Sequence, residues 1–378
     1  GIDGYEHDWK WYLEQAADAA EEFITNSGYS LYTATGPATS YRDLFASENA
    51  QSVEVILARD YNKALGVFHN VNFYTISASY GKPGMTRKIV DSYLMADGSK
   101  IQDQPGYETM TYNQQFQNRD PRMAQTLMAP GYVDLNGIDE VIEDCKSYDM
   151  TGYRFIKFVS DDTHNGATTS TTDWPVFRYP EILLTYAEAK AELGTLTPED
   201  IALTVDVVRD RVGMPALDMT AANNNPDPLM ASYYPNVNSG ANKGVILEIR
   251  RERTIELAME GFRYYDIMRW KEGKTFEQPL LGLYIPSKGE YDLDGDGTPD
   301  IYLKTKGETP STKAPLIMEI DQDIFLSEGD HGYISPHKNN PGIWNEARDY
   351  YYPIPTDDRS LTGGALTQNP GWNDGLDF

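Results

Sequence analysis

Between residues 8 and 27, DWKWYLEQAADAAEEFITNS, apolar groups recur at helical spacing through Trp9, Leu13, Ala16, Ala20, Phe23 and Ile24, and Gly28 follows as a stop. The pattern predicts an amphipathic helix that needs a partner. From about 30 to 170 it breaks into short strand-like runs such as Val53 to Ala58, separated by Gly, Pro and Asn, so this region is expected to be mostly irregular. Helical spacing returns at YPEILLTYAEAKAELG, with Pro180 in a first turn, Leu183, Tyr186, Ala187 and Lys190 in period, and Gly194 closing the helix. A second helix opens at once: Thr197 is an N-cap, Pro198 suits the first turn, Asp200 lies three after the cap, and the run ends near Val212. The pair covers about 34 residues, the length of a tetratricopeptide unit; spacing alone leaves that reading and an ordinary helical hairpin both open. After a Pro/Asn-rich loop, a longer helix is expected from Val245 through VILEIRRERTIELAMEGFRYYDIMRW. From 275 onward Gly, Pro and Asp dominate, which predicts a loop-rich cap.

In the long helix, Ile246 and Leu257 share a stripe at ~100° per residue, and Arg250 and Arg253 border it. One reading is structural, since Glu248, Glu252, Glu256, Glu260 and Asp266 lie within reach of helical ion pairs and an arginine beside a seam usually meets a carboxylate of the next helix. The other is an anion-binding arginine cluster.

Composition narrows the partners. With 32 Lys and Arg against 58 Asp and Glu the net charge is −26, which repels nucleic acid and anionic lipid alike. The 27 tyrosines exceed what one core needs, and exposed rings suit flat, neutral ligands such as sugars. The length allows one extended domain or two interlocked ones. A single Cys145 excludes an intrachain disulfide. No run reaches the ~18 apolar residues of a membrane span, and GIDGYEHDWK has neither the basic nor the apolar part of a signal, so any signal or lipid anchor is expected to be missing from this chain.

Several stretches, in order, resemble the SusD/RagB-like outer-membrane nutrient-binding lipoproteins of Bacteroidetes. DWPVFRYPEILLTYAEAKAELG is similar to that family's aromatic-Arg-Tyr segment leading into an Ala-Glu-Ala helix, VDVVRDRVGMP to its Val-Arg-x-Arg-Gly helix end, RRERTIELAMEGFRYYDIMRWKEG to its most recognisable helix, and YYPIPTDDRSLTGGALTQNPGW to its C-terminus. NRDPRM and SYLMADGSKI also fit. The resemblance implies a mainly α fold: tetratricopeptide-like helical hairpins in a SusD-like α-α superhelix, residues 1–29 and 178–275, with an irregular cap of short strands and loops, residues 30–177 and 276–378. It implies non-catalytic, cell-surface binding of an oligosaccharide or polysaccharide for uptake with a SusC-like TonB-dependent transporter, on an outer-membrane lipoprotein. It also assigns the arginine-rich helix to structure. Family members begin with a lipoprotein signal, an acylated cysteine and further helices, so roughly the N-terminal third is expected to be absent here.

Catalytic patterns were sought against that reading. The five histidines form no HExxH and no i, i+4 pair, and there is no G-x-S-x-G elbow or phosphate loop. A glycoside hydrolase needs only two well-spaced carboxylates, so a calcium-stabilised hydrolase stays as an alternative, beside a tetratricopeptide-like protein-interaction scaffold. Sugar sites combine rings with planar hydrogen-bonding groups. FHNVNFYTISASYG offers Asn70, Asn72, Phe73, Tyr74 and Tyr80; MASYYPNVN offers Tyr233, Tyr234 and Asn236; NNPGIWNE offers Trp344 and Asn345. Trp174 and Trp270 fall in scaffold motifs and read as core.

YDLDGDGTPD places Asp292, Asp294 and Asp296 at alternate positions, Gly297 at the turn, Thr298 with its carbonyl, and Asp300 after it. Five oxygen sources in one turn suit calcium, a hard cation that accepts several oxygens at flexible geometry. Leu303 stands where an EF-hand supplies a bidentate glutamate, so the loop is expected to be a structural clasp completed by an outside oxygen such as Glu290. The bland alternative is an Asp/Gly turn in water.

Overall fold

The computed structural model describes residues 6–78, 80–133, 143–237 and 240–373. Its first helix, Trp9–Asn26, starts where the Asp8 carboxylate accepts the N–H groups of Lys10 and Trp11 (3.1 and 3.2 Å). Its partner is the helix Tyr179–Leu193: Ala17 and Ala20 pack on Tyr186 and Ala189, and the three alanines leave room for the Tyr186 ring between the helices. Gly194 ends the second helix in the left-handed region (φ 76°), returning its N–H to the carbonyls of Lys190 and Ala191.

Two expected helices are each divided. The run after Thr197 is capped as expected, with Thr197 and Asp200 capping each other, but it forms two pieces, Pro198–Leu203 and Val205–Asp210. Thr204 breaks it at φ −125°, ψ −82°, where its hydroxyl donates to the Asp200 carbonyl (2.6 Å). The long helix likewise stops early. A central helix, Lys243–Glu256, ends before a turn with Met259 (φ 65°) and Gly261 (φ 88°), and Arg263–Arg269 restarts in a new direction. Side chains from elsewhere take the carbonyls at the break: Tyr41 Oη and Arg178 Nη2 each donate to Glu256 (2.6 Å), and buried Lys157 Nζ donates to Ala258 (2.7 Å). Periodicity counts spacing and cannot see these distant donors.

The central helix is buried nearly all round, glutamates included. Those glutamates face arginines of other segments. Glu252 accepts from Arg122 (2.5 Å) and Arg209 (2.9 Å). Glu256 meets Arg178 (2.6 Å), Arg211 (2.5 Å) and Arg122 (3.2 Å). Glu260 binds Arg178 (2.6 Å) and Lys157 (2.7 Å). Arg253 pairs with Asp266 (2.9 Å), and Arg250 with Glu272 (3.1 Å) and Glu192 (3.3 Å), so the structural reading of these arginines fits what surrounds them.

The strands deliver partners to this lattice and build the rest of the core. β1 (Val55–Arg59) pairs antiparallel with β2 (Trp174–Arg178), and the Val55↔Arg178 register sets Arg178 beside Glu54 (2.9 Å). β3 (Tyr284–Ile285) pairs with β7 (Gly332–Tyr333). β4 (Gly289–Tyr291) and β5 (Ile301–Lys304) form a hairpin, and β6 (Leu316–Glu319) adds parallel to β5. Leu303 and Met318 from this sheet join Tyr93, Leu127 and Tyr153 in one apolar cluster, while Leu184, Ile201, Val245, Ile249 and Trp270 belong to another among the helices. Among the described residues no helix is long and apolar enough to cross a membrane.

Glu256→Gln keeps the side chain's volume but leaves Arg178 and Arg211 short of an anion. A broken buried pair costs about 3–5 kcal/mol, so the denaturation midpoint should fall well below that of wild type. Acid acts on the same groups. Burial would raise the carboxyls of Glu252, Glu256 and Glu260, but the surrounding cations override it and hold all three below the usual 4.5. Groups depressed in the folded state contribute stability that is full above their unfolded value and lost as pH falls through the folded one. Melting curves from neutral to acid pH should therefore show loss of stability below about pH 4.5, and a shallower acid limb in Glu256→Gln.

Candidate functional site

The 3₁₀ helix Gly273–Glu277 is the floor of an exposed aromatic surface. Residues 341–350 lie across it: Gly273 N–H donates to Tyr350 Oη (3.0 Å), and Trp344 N–H to Glu277 Oε1 (3.3 Å). Two glycines permit that contact. A Cβ on Gly273 would stand 2.1 Å from the Trp344 ring, and one on Gly342 would stand 2.0 Å from the Phe276 carbonyl oxygen. The rings form a continuous row. Trp344 lies 4.9 Å from Tyr350 and 5.4 Å from Phe276, Phe276 lies 6.2 Å from Tyr264, and Tyr264 lies 6.3 Å from Tyr352 and 5.6 Å from Tyr265. Tyr265 and Tyr352 keep 65% and 66% of their surface in solvent, so they are platforms rather than core. The Tyr264 phenol, bonded to Tyr352, is pushed up to about 12; it stays protonated and able to donate.

Phe276 also walls a cavity of about 520 Å³, which Leu280, Leu281, Tyr333, Ser335 and Asn340 help to line. That size is ordinary for a small-ligand pocket. On the inner side of the same segment, Lys88 Nζ lies 4.8 Å over the Tyr233 ring and donates to Gln278 Oε1 (2.7 Å) and to the Thr275 hydroxyl. Burial, then the nearby Arg263, pulls its ammonium down to about 8.

The expected ligand residues fall in two groups. Trp344 and Asn345 belong to the aromatic row, where Asn345 Oδ1 accepts the Ala347 N–H (3.0 Å) and shapes the turn. Tyr233 is half-buried beneath Lys88, and exposed Asn236 donates through its side chain to the Lys271 carbonyl. The second group is the short helix Val71–Ile76 and its flanks. Phe73 lies 5.7 Å from Tyr74 and 4.4 Å from Tyr80, both tyrosines are about half exposed, and Asn70 Oδ1 accepts the Thr168 N–H (2.6 Å). Asn72 and Tyr234, expected among the ligand contacts, turn inward. The Asn72 amide is fully buried and hydrogen-bonds Ser160, and Tyr234 packs on Trp270 (5.5 Å) with its hydroxyl 3.0 Å from that of Thr254. Conversely, Tyr264, Tyr265, Phe276 and Tyr352 were absent from the expected set. The doublet Tyr264-Tyr265 carried a usable signal, because adjacent residues on a helix cannot both face one core.

The acidic loop is the turn of the β4–β5 hairpin. Asp292 accepts from the N–H groups of Gly295 (2.6 Å) and Gly297 (2.8 Å), Asp294 from Asp296 (2.9 Å), Asp296 from Thr298 (2.6 Å), and Asp300 from Leu293 (2.7 Å). The carboxylates of Asp292, Asp294 and Asp300 converge, with one oxygen of each within 4.8 Å of the others. Asp296 and Thr298 are exposed, and the Asp296 carboxylate lies outside that trio. Burial raises the Asp300 carboxyl, and Asp294 and Asp292 add like-charge repulsion; Asp292 goes the other way because the glycine N–H groups outweigh its burial. Leu303 is fully buried in β5, and Glu290 is exposed and accepts from the Thr312 hydroxyl (2.6 Å).

The model of the SusD family matches residues 44–372. Among solved structures, a SusD-like protein from Bacteroides fragilis is 21% identical at a TM-score of 0.63, over 96% of this chain and 62% of its own. A SusD-like carbohydrate binding protein from the same organism is 21% identical at a TM-score of 0.61, over 93% of this chain and 60% of its own. The chain thus spans about three-fifths of the length of these structures. At such identity the likeness speaks for the fold. No curated protein matches the sequence.

Gly273→Ala should dislodge Trp344, because the new methyl group occupies the ring's position; overpacking of this kind costs about 1–3 kcal/mol. Tryptophan emission should shift to the red, and the shift should vanish in a Trp344→Phe background. Unchanged emission would mean that the ring does not rest on Gly273.

Proposed function

The chain belongs to the SusD family, and from that premise we propose that it captures an oligosaccharide or polysaccharide at the cell surface, without turnover, for a SusC-like TonB-dependent transporter. The observation that carries this reading is the row Tyr265, Tyr264, Phe276, Trp344 beside a 520 Å³ cavity. A sugar's C–H face packs on such rings, while Ser335, Asn340 and Gln278 at the cavity offer partners for its hydroxyls. One similar structure is described as a carbohydrate binding protein, which supports the ligand class. Phe73, Tyr74 and Tyr80, with Asn70, supply a second candidate contact surface.

In this reading the helical residues, 1–29 and 178–275, are a tetratricopeptide-like scaffold, and 30–177 with 276–378 form the cap. One apolar cluster, between Leu184 and Trp270, lies within the scaffold, and another joins Val90, Tyr153, Leu303 and Ile334 of the cap to Ile255; a third packs Tyr41, Phe45 and Phe158 of the cap on Val212 and Met214, so the two parts share their core. Placement as an outer-membrane lipoprotein follows from the family, with membrane contact through a lipid anchor.

The acidic loop fits a hard cation, since three carboxylates converge where like charges otherwise repel. Asp292, Asp294 and Asp300 would hold calcium, and the ion would tie the hairpin turn to β5. The Thr298 carbonyl, in the same turn, would add a further oxygen, while the Asp296 carboxylate stands outside the trio.

Electrophoresis through gels containing neutral polysaccharides tests the main reading. Retardation without release of reducing ends is expected, and Trp344→Ala or Phe276→Ala should weaken it by roughly tenfold, the equivalent of about 1.4 kcal/mol. Accumulating reducing ends would favour a hydrolase instead, and retention by a transporter with no glycan binding would favour a protein-interaction scaffold. For the loop, the melting midpoint should rise with calcium and fall with chelator, and Asp292→Asn should abolish the difference. Equal midpoints in calcium and chelator would overturn the clasp.

A further inference from the structure

A second cavity, of about 450 Å³, opens between residues 95 and 118 and shares no lining residue with the aromatic row or the cavity beside it. Its chemistry is unusual for this chain. Charged residues make up 24% of the sequence, yet none lines this cavity. Its polar lining is mainly side-chain amide, from Gln104, Gln114, Gln117 and Asn118, and its apolar lining includes Met95 and Met110.

Two of the amides are held in fixed orientation by bonds made behind them. Gln114 Oε1 accepts the Thr111 N–H (2.9 Å) in a capping box, which leaves its NH₂ group as a donor. Asn113 Nδ2 donates to the Asp294 carbonyl, so its Oδ1 accepts from Gln117 Nε2 (2.9 Å), which leaves the Gln117 carbonyl as an acceptor. Among the described residues, the half-buried side chain of Gln104 and the exposed one of Asn118 make no hydrogen bond within the chain. Asn118 sits at φ 53°, a left-handed turn that asparagine tolerates, and its carbonyl is fixed by the Ala96 N–H (2.7 Å).

We propose that this amide-lined cavity is a separate subsite for a neutral, polyhydroxylated sugar unit. A fixed donor and a fixed acceptor match a pair of hydroxyls, each of which both donates and accepts, and the methionines adapt to the ring's apolar face. An acidic sugar finds no cation here in a chain of net charge −26. That the ligand is a sugar rests on the glycan-binding reading above; the place and the preference for a neutral group do not.

The test is titration calorimetry with maltohexaose, cellohexaose and mannohexaose against hexagalacturonic acid, with hydrogen exchange to locate the contact. Binding of at least one neutral probe, protection of residues 101–118, and no binding of the acidic probe are expected. Gln117→Ala and Asn118→Gly, the latter keeping the left-handed backbone, should each weaken binding about tenfold. Unchanged melting midpoints would show that both variants fold. Undiminished affinity in both variants, protection confined to other segments, or no neutral probe binding at millimolar concentration would each overturn the subsite. The first two results leave the main reading untouched; the third bears on both, and retardation by polysaccharide with its loss in Trp344→Ala then decides the main reading separately.

Discussion

Glu256 and the three guanidinium groups around it fix the rest of the molecule. Arg122, Arg178 and Arg211 arrive from three separate segments and meet one carboxylate that has no solvent exposure. Each charge would be very costly to bury alone, so each segment can reach its place only if the others are present. Arg178 ends β2, Arg211 follows the short helix Val205–Asp210, and Arg122 lies in the helix Pro121–Thr126. Through these, the ionic lattice joins the helices to the irregular part of the chain, alongside the apolar contacts of Tyr41, Phe45 and Phe158 with Val212 and Met214.

The same lattice shapes the aromatic surface. Glu256 is the last residue of the central helix, and its carbonyl is claimed by Tyr41 and Arg178. The helix therefore ends there, and Met259 and Gly261 turn the chain before Arg263–Arg269. An unbroken helix would have continued the buried face through Tyr264. After the turn, Asp266 points inward to Arg253 (2.9 Å), which leaves Tyr264 and Tyr265 on the outside, beside Phe276 and Tyr352. A charge interaction in the interior thus sets where the rings emerge.

This dependence also explains what was legible in the sequence. The helices Trp9–Asn26 and Tyr179–Leu193 and the cap at Thr197 depend on local spacing and on residues within a few positions, and they were readable. The breaks at Thr204 and after Glu256 were not, because the groups that compete for the backbone come from far along the chain or from a tertiary fit. The acidic loop was readable as a convergence of carboxylates because its turn is made by its own Asp and Gly residues, and three of its four aspartates gather while Asp296 does not. In the ligand surface, Trp344 lies in the row through the glycine at 273, some seventy positions away, which no local pattern relates to it. Asn72 and Tyr234 had the right chemistry for sugar contacts, but composition does not distinguish a ring or amide that faces water from one that faces the core.

Charge pairing inside has a consequence outside. The buried arginines and Lys157 are matched by a similar number of buried carboxylates, so the interior is close to neutral and nearly the whole net charge of −26 lies at the surface. Such a field repels anionic polymers over about a Debye length, roughly 8 Å at physiological salt, and leaves uncharged ones unaffected. The aromatic row, and a cavity lined by amides and apolar groups without any charge, are surfaces suited to uncharged partners in that field. The pairing that stabilises the interior and the proposed preference for a neutral ligand would therefore be two results of one charge distribution: cations are drawn inward to neutralise carboxylates, and what remains for the surface to use is shape, aromatic area and neutral hydrogen bonds.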